Sequence, residues 1–132
     1  NPGDTWTTTD KAEYLPGAML EMKTVNKLVG TKTLNGKSYV QIDSTITMNA
    51  PAHQVTMGEG DMAMTFMIST QFAGKATSYF DAQAGQYNSA TFTGKSTYTL
   101  VLTDNSLKMD STATITGAMK AVPVTAATTT AK

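Results

Sequence analysis

The chain contains no arginine, no cysteine, a single histidine and a single tryptophan, and only 15% of its 132 residues are charged. Each shortage excludes a class of function. Phosphate and nucleic-acid recognition lean on the planar, bidentate guanidinium, and a chain without one and with zero net charge has no basic footprint to offer a nucleic acid. Without cysteine there are no disulfides, no thiolate catalysis and no thiolate metal sites. Apolar runs are too short to cross a bilayer as a helix, and a membrane β-barrel needs at least about eight strands, which this chain barely reaches. The opening Asn1-Pro2-Gly3-Asp4 has neither an initiator Met nor an apolar signal region, which predicts a mature or excised piece of a longer product.

Threonine dominates what is present, with Ser, Tyr, Val and Ile beside it, residues that fit a pleated surface half buried and half wet. A polar face rich in hydroxyls rather than charges predicts an exported protein. One domain is expected at this length. Residues 1–17 read as an entry segment in which Asp10 and Glu13, at capping-box spacing, predict a helical turn over 10–15 that Pro16-Gly17 stops. Residues 18–116 read as an antiparallel β domain, and 117–132 as an Ala/Thr-rich flexible tail.

Within the β domain, alternation at period two is the organising signal. Leu20, Met22, Thr24 and Leu28 share one face against Glu21, Lys23 and Lys27. Asn35-Gly36 is the strongest hairpin signal, because that pair tolerates the positive φ angles of a type I′ turn. Val40, Ile42, Ile46 and Met48 then alternate with Tyr39, Gln41, Asp43, Thr45 and Thr47. In the stretch 61–81, Met62, Met64, Phe66, Ile68 and Phe72 share a face, and Gly74-Lys75 reads as a tight turn to a further strand. Gly94-Lys95 reads as another turn or a bulge, followed by Tyr98, Leu100 and Leu102, then by Leu107, Met109, Ala113 and Ile115. The expected architecture is all-β: an antiparallel meander of about seven strands, curled as a half-barrel or folded over as a sandwich.

No constellation compels a chemistry. The three Gly-Lys pairs, at Gly36, Gly74 and Gly94, lack the upstream glycine and following helix of a phosphate loop. His53 has no nucleophile elbow near it and reads as a residue of a solvated loop. Glu59 and Asp61 form an acidic turn without a calcium-loop pattern, and Asp43, Asp81 and Asp110 are the outward acids any one-sided sheet carries. Neither catalytic residues nor a cofactor are assigned, and the expected reading is non-enzymatic.

Methionine is the oddity, at nine residues. Met19 with Met22, and Met62 with Met64 and Met67, have soft-ligand spacings suited to Cu(I), but Met19 and Met67 fall on the opposite face from the others. No metal site is assigned. Met22, Met48, Met62, Met64, Phe66, Ile68 and Phe72 instead form an adaptable apolar face, which would accept a lipid or other hydrophobic ligand if left uncovered.

Gly3-Asp4-Thr5-Trp6, Asn35-Gly36-Lys37, and Tyr79-Phe80-Asp81 followed by Gly85 together resemble uncharacterised exported bacterial proteins, often lipoproteins, whose repeated long hairpins are similar to half-barrel carriers of the LolA/LppX type. The resemblance spans residues 3 to 116. It implies a hydrophobic ligand held in an apolar concavity, and a periplasmic or extracellular place in the bacterial cell envelope. The chain is short for that fold and lacks the helices that usually plug its concave face. The other expectation, from the hydroxyl-rich face and Thr-rich tail, is a structural or adhesive surface domain with no small-molecule site.

Overall fold

The computed structural model describes residues 1–104 and 106–121, and it is all-β. Six strands follow one another as β1 (Thr5–Leu15), β2 (Ala18–Leu34), β3 (Lys37–Met57), β4 (Met64–Asp81), β5 (Gln86–Leu102) and β6 (Lys108–Lys120), in one antiparallel sheet of order β1-β2-β3-β4-β5-β6. This is the expected meander as an open, curled sheet; no second sheet closes it into a sandwich among the described residues. The predicted flexible tail from 117 is strand as far as Lys120, and 122–132 lie outside the described residues.

The turns follow their chemistry. Asn35 (φ 50°) and Gly36 (φ 77°) both take the left-handed conformation that a type I′ hairpin requires. Gly17 (φ 77°) turns β1 into β2, and its N–H donates to Glu13 Oε1 at 2.6 Å. The carboxylate that was to cap a helical turn thus serves a hairpin. Residues 10–15 are strand, because Asp10, Lys11 and Ala12 find partners in Met22, Glu21 and Leu20.

Two further expected turns are absent. Gly74 lies mid-strand in β4, directly opposite Gly94 of β5, and both strands run straight through. Phe72 explains the pair. A Cβ at Gly74 would lie 2.8 Å from the Phe72 Cζ, and one at Gly94 2.5 Å from it, so the phenyl ring covers both glycines. A ring laid over glycines in a sheet shields bare backbone and supplies the side-chain packing that they lack. Phe92 does the same over Gly117 of β6. These glycines mark places where an aromatic ring needs room, and for that reason there are six long strands rather than about seven shorter ones.

The registers sort the chain by face. One face carries Leu20, Met22, Leu28, Val40, Ile42, Ile46, Met48, Phe66, Ile68, Phe72, Phe92, Leu100 and Ile115; every lysine among the described residues projects from the other. Bulges between Ala50 and His53 and near Tyr79 and Phe80 reset the alternation so that Val55, Met57, Tyr87 and Ala90 stay on the apolar face, and one between Leu28 and Gly30 keeps Lys32 on the polar face, where Leu34 joins it. The polar face is laced across strands. Thr77 donates to Asp43 at 3.0 Å, Thr99 donates to Asp110 at 2.8 Å, and Lys11 pairs with Glu21 at 3.1 Å.

Among the described residues nothing covers the apolar face. Ala18 and Ala50 are the only buried hydrophobic residues among them, and no large side chain is fully buried. Most side chains of that face are half-buried by same-face neighbours.

Introducing Gly94→Ala should destabilise the sheet by about 1–3 kcal/mol in urea unfolding, because the new methyl meets the Phe72 ring. In a Phe72→Ala background the same change should cost clearly less. Equal costs in both backgrounds would remove the ring from the explanation.

Candidate functional site

The seven residues expected to form an apolar surface divide in the structure. Met22, Met48 and Phe72 lie directly opposite one another across β2, β3 and β4, a row that Ser96 extends onto β5. Ile68 sits in a second row with His53, Leu100 and Met109, and Phe66 in a third with Val55 and Leu102. Met64 opposes Met57 at the strand ends and is 53% exposed. Met62 is the exception. It lies in a short 3-10 turn (Gly60–Met62) ahead of β4 and is 83% exposed, because the strand begins only at Met64.

These residues share a face without converging on one cleft. Met48 and Phe72 border a depression of about 390 Å³ whose other walls, Thr47, Asn49, Gln71, Ala73, Lys95 and Thr97, belong to the polar face. A depression of about 380 Å³ lies at the far end of β4 and β5, against Ser78, Tyr87, Ala90 and Met119, with Asn88, Ser89, Lys120 and Ala121 around it. Tyr87 packs edge-on against Phe80, ring centroids 5.4 Å apart. Sequence reasoning missed this second place because Asn88 is an extra residue in β5. Phe80 opposes Tyr87 while Tyr79 opposes Ser89, so the alternation breaks and the stretch looks mixed in character. The available signal was that Tyr87, Ala90 and Phe92 become one face once a single residue is skipped.

The polar candidates resolve into structural roles. His53 is not on a solvated loop: it belongs to β3, is half-buried and opposes Ile68, because the bulge after Ala50 lets pairing resume beyond Pro51-Ala52. Met19 and Met67 do lie on the face opposite Met22 and Met64, opposing Glu13 and Gln54. No group of three or more His, Asp or Glu side chains gathers among the described residues, and no helix is long and apolar enough to cross a membrane.

Asp81 is the one buried charged residue among the described residues, and its bonds go to its own turn and to one lysine. Its Oδ1 accepts the N–H groups of Gln83 and Ala84 at 3.0 Å each, which fixes the β4–β5 turn. Its Oδ2 pairs with Lys37 Nζ at 2.6 Å, which ties that turn to the start of β3. The Lys37 bond, then the backbone donors, hold its carboxyl below the usual carboxylate range, and the Asp81 bond holds the Lys37 ammonium above its own. A carboxylate engaged by three donors in this way is a fastener between a turn and a strand.

No protein-family model, curated protein or solved structure matches the chain.

The depressed carboxyl sets a sign for pH dependence. Stabilisation by Asp81 is present above the unfolded carboxylate range, about 3.9, and is lost as pH falls through the lower folded value. Urea unfolding should therefore show the parent chain more stable than Asp81→Asn at pH 7, with the gap narrowing below about pH 4. A gap that stayed constant from pH 7 to pH 3 would contradict the assignment.

Proposed function

We propose that this chain is an exported β domain of the cell envelope that takes up a lipid or another hydrophobic ligand against its apolar face. The observation that carries the reading is the separation of the two faces. Apolar side chains of β2 to β5 dominate one face, broken by polar positions such as the hydrogen-bonded Asn26–Ser44 pair, all described lysines project from the other side, and among the described residues no large side chain is fully buried. Four strands spaced about 4.8 Å apart, with roughly a dozen residues each at about 3.3 Å, give that face an extent on the order of 800 Å², its polar positions included. The largest apolar patch on an ordinary monomer is about 300–600 Å² and is often functional.

The composition of that face supports an adaptable ligand rather than a shaped one. Met22, Met48, Met57 and Met64 are unbranched and polarisable, and they re-pack around varied apolar shapes at little cost. Phe66, Ile68 and Phe72 add stiffer area between them. The half-barrel carriers that the hairpins resemble use an apolar surface of this kind, and the envelope location belongs to the same reading. A second reading, a structural or adhesive domain, draws on the opposite face, where hydroxyl-bearing residues are cross-linked as in the Thr56–Thr65 contact at 3.1 Å.

Native mass spectrometry of protein from its own envelope fraction, followed by organic extraction, separates the two. The carrier reading expects a stoichiometric apolar passenger and uptake of a fluorescent fatty acid by the stripped protein. Phe66→Asp, between Val55 and Leu102, should weaken that uptake at least about tenfold by setting a charge in the apolar face. Thr45→Asp, exposed on the polar face, should leave it unchanged. A clean apo mass with no fatty-acid uptake would favour the structural reading, and undiminished uptake by folded Phe66→Asp would move the ligand off this face.

A further inference from the structure

We infer that β6 is a dimerisation edge, on which a second copy of this chain adds its own β6 antiparallel, with Asp110 of each copy opposite Lys120 of the other. The sheet has two edges, and they are built differently. β1 carries Asp10, Lys11 and Glu13 inside the strand and a register shift between Glu13 and Leu15, charges and irregularity of the sort that deter strand addition. β6 has no such defence. It pairs with β5 from Lys108 to Lys120 without a register shift, contains no proline, and is uncharged from Ser111 to Met119. Among the described residues it contacts β5 alone.

The direction of its backbone groups can be read from its two ends. The Leu107 carbonyl accepts from the Leu102 N–H at 2.9 Å, and the Ala121 N–H donates to the Asn88 carbonyl at 2.7 Å. Both odd-numbered ends therefore point at β5. With an unbroken register between them, the even-numbered residues Asp110, Thr112, Thr114, Thr116, Ala118 and Lys120 direct their N–H and C=O groups outward.

An antiparallel twofold partner must pair even residues with even to use those groups, and charge then chooses among the registers. Setting Thr114 against itself would put Lys108 opposite Lys120. Sliding by one step, so that Ile115 meets Ile115 on the axis, puts Asp110 opposite Lys120 at both ends and Thr114 opposite Thr116 between them. Lys120 makes no ion pair among the described residues, and the Asp110 carboxylate projects from the same face, where it also meets Thr99 and Lys108. Odd residues still meet odd ones, so the apolar faces of the two copies lie on the same side. Ile115, 40% exposed, gains a hydrophobic partner, and the sheet becomes continuous across the axis.

Sedimentation equilibrium of the full chain tests this, expecting a dimer. Lys120→Glu, which sets Glu against Asp110, should raise the dissociation constant about tenfold or more, and adding Asp110→Lys to the same chain should restore it. Because the chain has no cysteine, Ile115→Cys should oxidise to a covalent dimer, its axial pair having the close spacing that a disulfide needs, while Thr114→Cys should not. A monomer at about 100 μM would overturn the proposal, as would cross-linking through Thr114→Cys rather than Ile115→Cys, or a double variant as weak as Lys120→Glu alone.

Discussion

In a sheet of single thickness each side chain is supported only by neighbours on its own face, and the organisation of this molecule follows from that constraint. Nothing from a second layer can rescue a misplaced charge; the described lysines all leave from one side, and Asp10, which opposes Met22 on the apolar side, lies on the edge strand β1. Three bulges reset the alternation and preserve this separation over strands as long as 21 residues. Where backbone would lie bare, an aromatic ring from the same face covers it, as Phe72 does for Gly74 and Gly94. The buried carboxylate of Asp81 belongs to the polar side and is spent on closing a turn and joining it to Lys37.

Much of this was legible in the residues, because strand alternation is a short-range signal that each stretch carries by itself. The faces of β2, β3 and the first half of β4 follow from period two, and the first hairpin follows from Asn35-Gly36, whose φ angles only a few residue types adopt. Two of the three Gly-Lys pairs, at Gly74 and Gly94, misled for a physical reason. Glycine marks either a turn or a close approach, and which of these holds at Gly74 depends on Phe72 and on Gly94, twenty residues away in sequence. Asp10 and Glu13 misled differently: their spacing satisfies a helix cap, but Lys11 finds Glu21 and Asp10 finds Met22, and pairing with β2 outweighs a local preference. For the apolar surface, the row Met22–Met48–Phe72 was readable face by face, whereas Tyr87 and Met119 were hidden by the bulge at Asn88 and by the extension of β6 beyond Ile115.

The uncovered face and the open edge are separate consequences of the same architecture, and they do not compete. A ligand on the apolar face would be held by side chains of β2 to β5, while a partner on β6 would be held by backbone groups lying in the plane of the sheet. Twofold pairing at β6 keeps both apolar faces on one side, so it widens the available surface without covering it. Hydrophobic burial is slight among the described residues, where two alanines are the only buried hydrophobic residues, and cohesion rests on the strand ladders and same-face pairs. Any molecule that binds the folded face but not the unfolded chain shifts stability by mass action. An apolar occupant would therefore act as the missing second layer, and the fold and its proposed function would share one source of free energy.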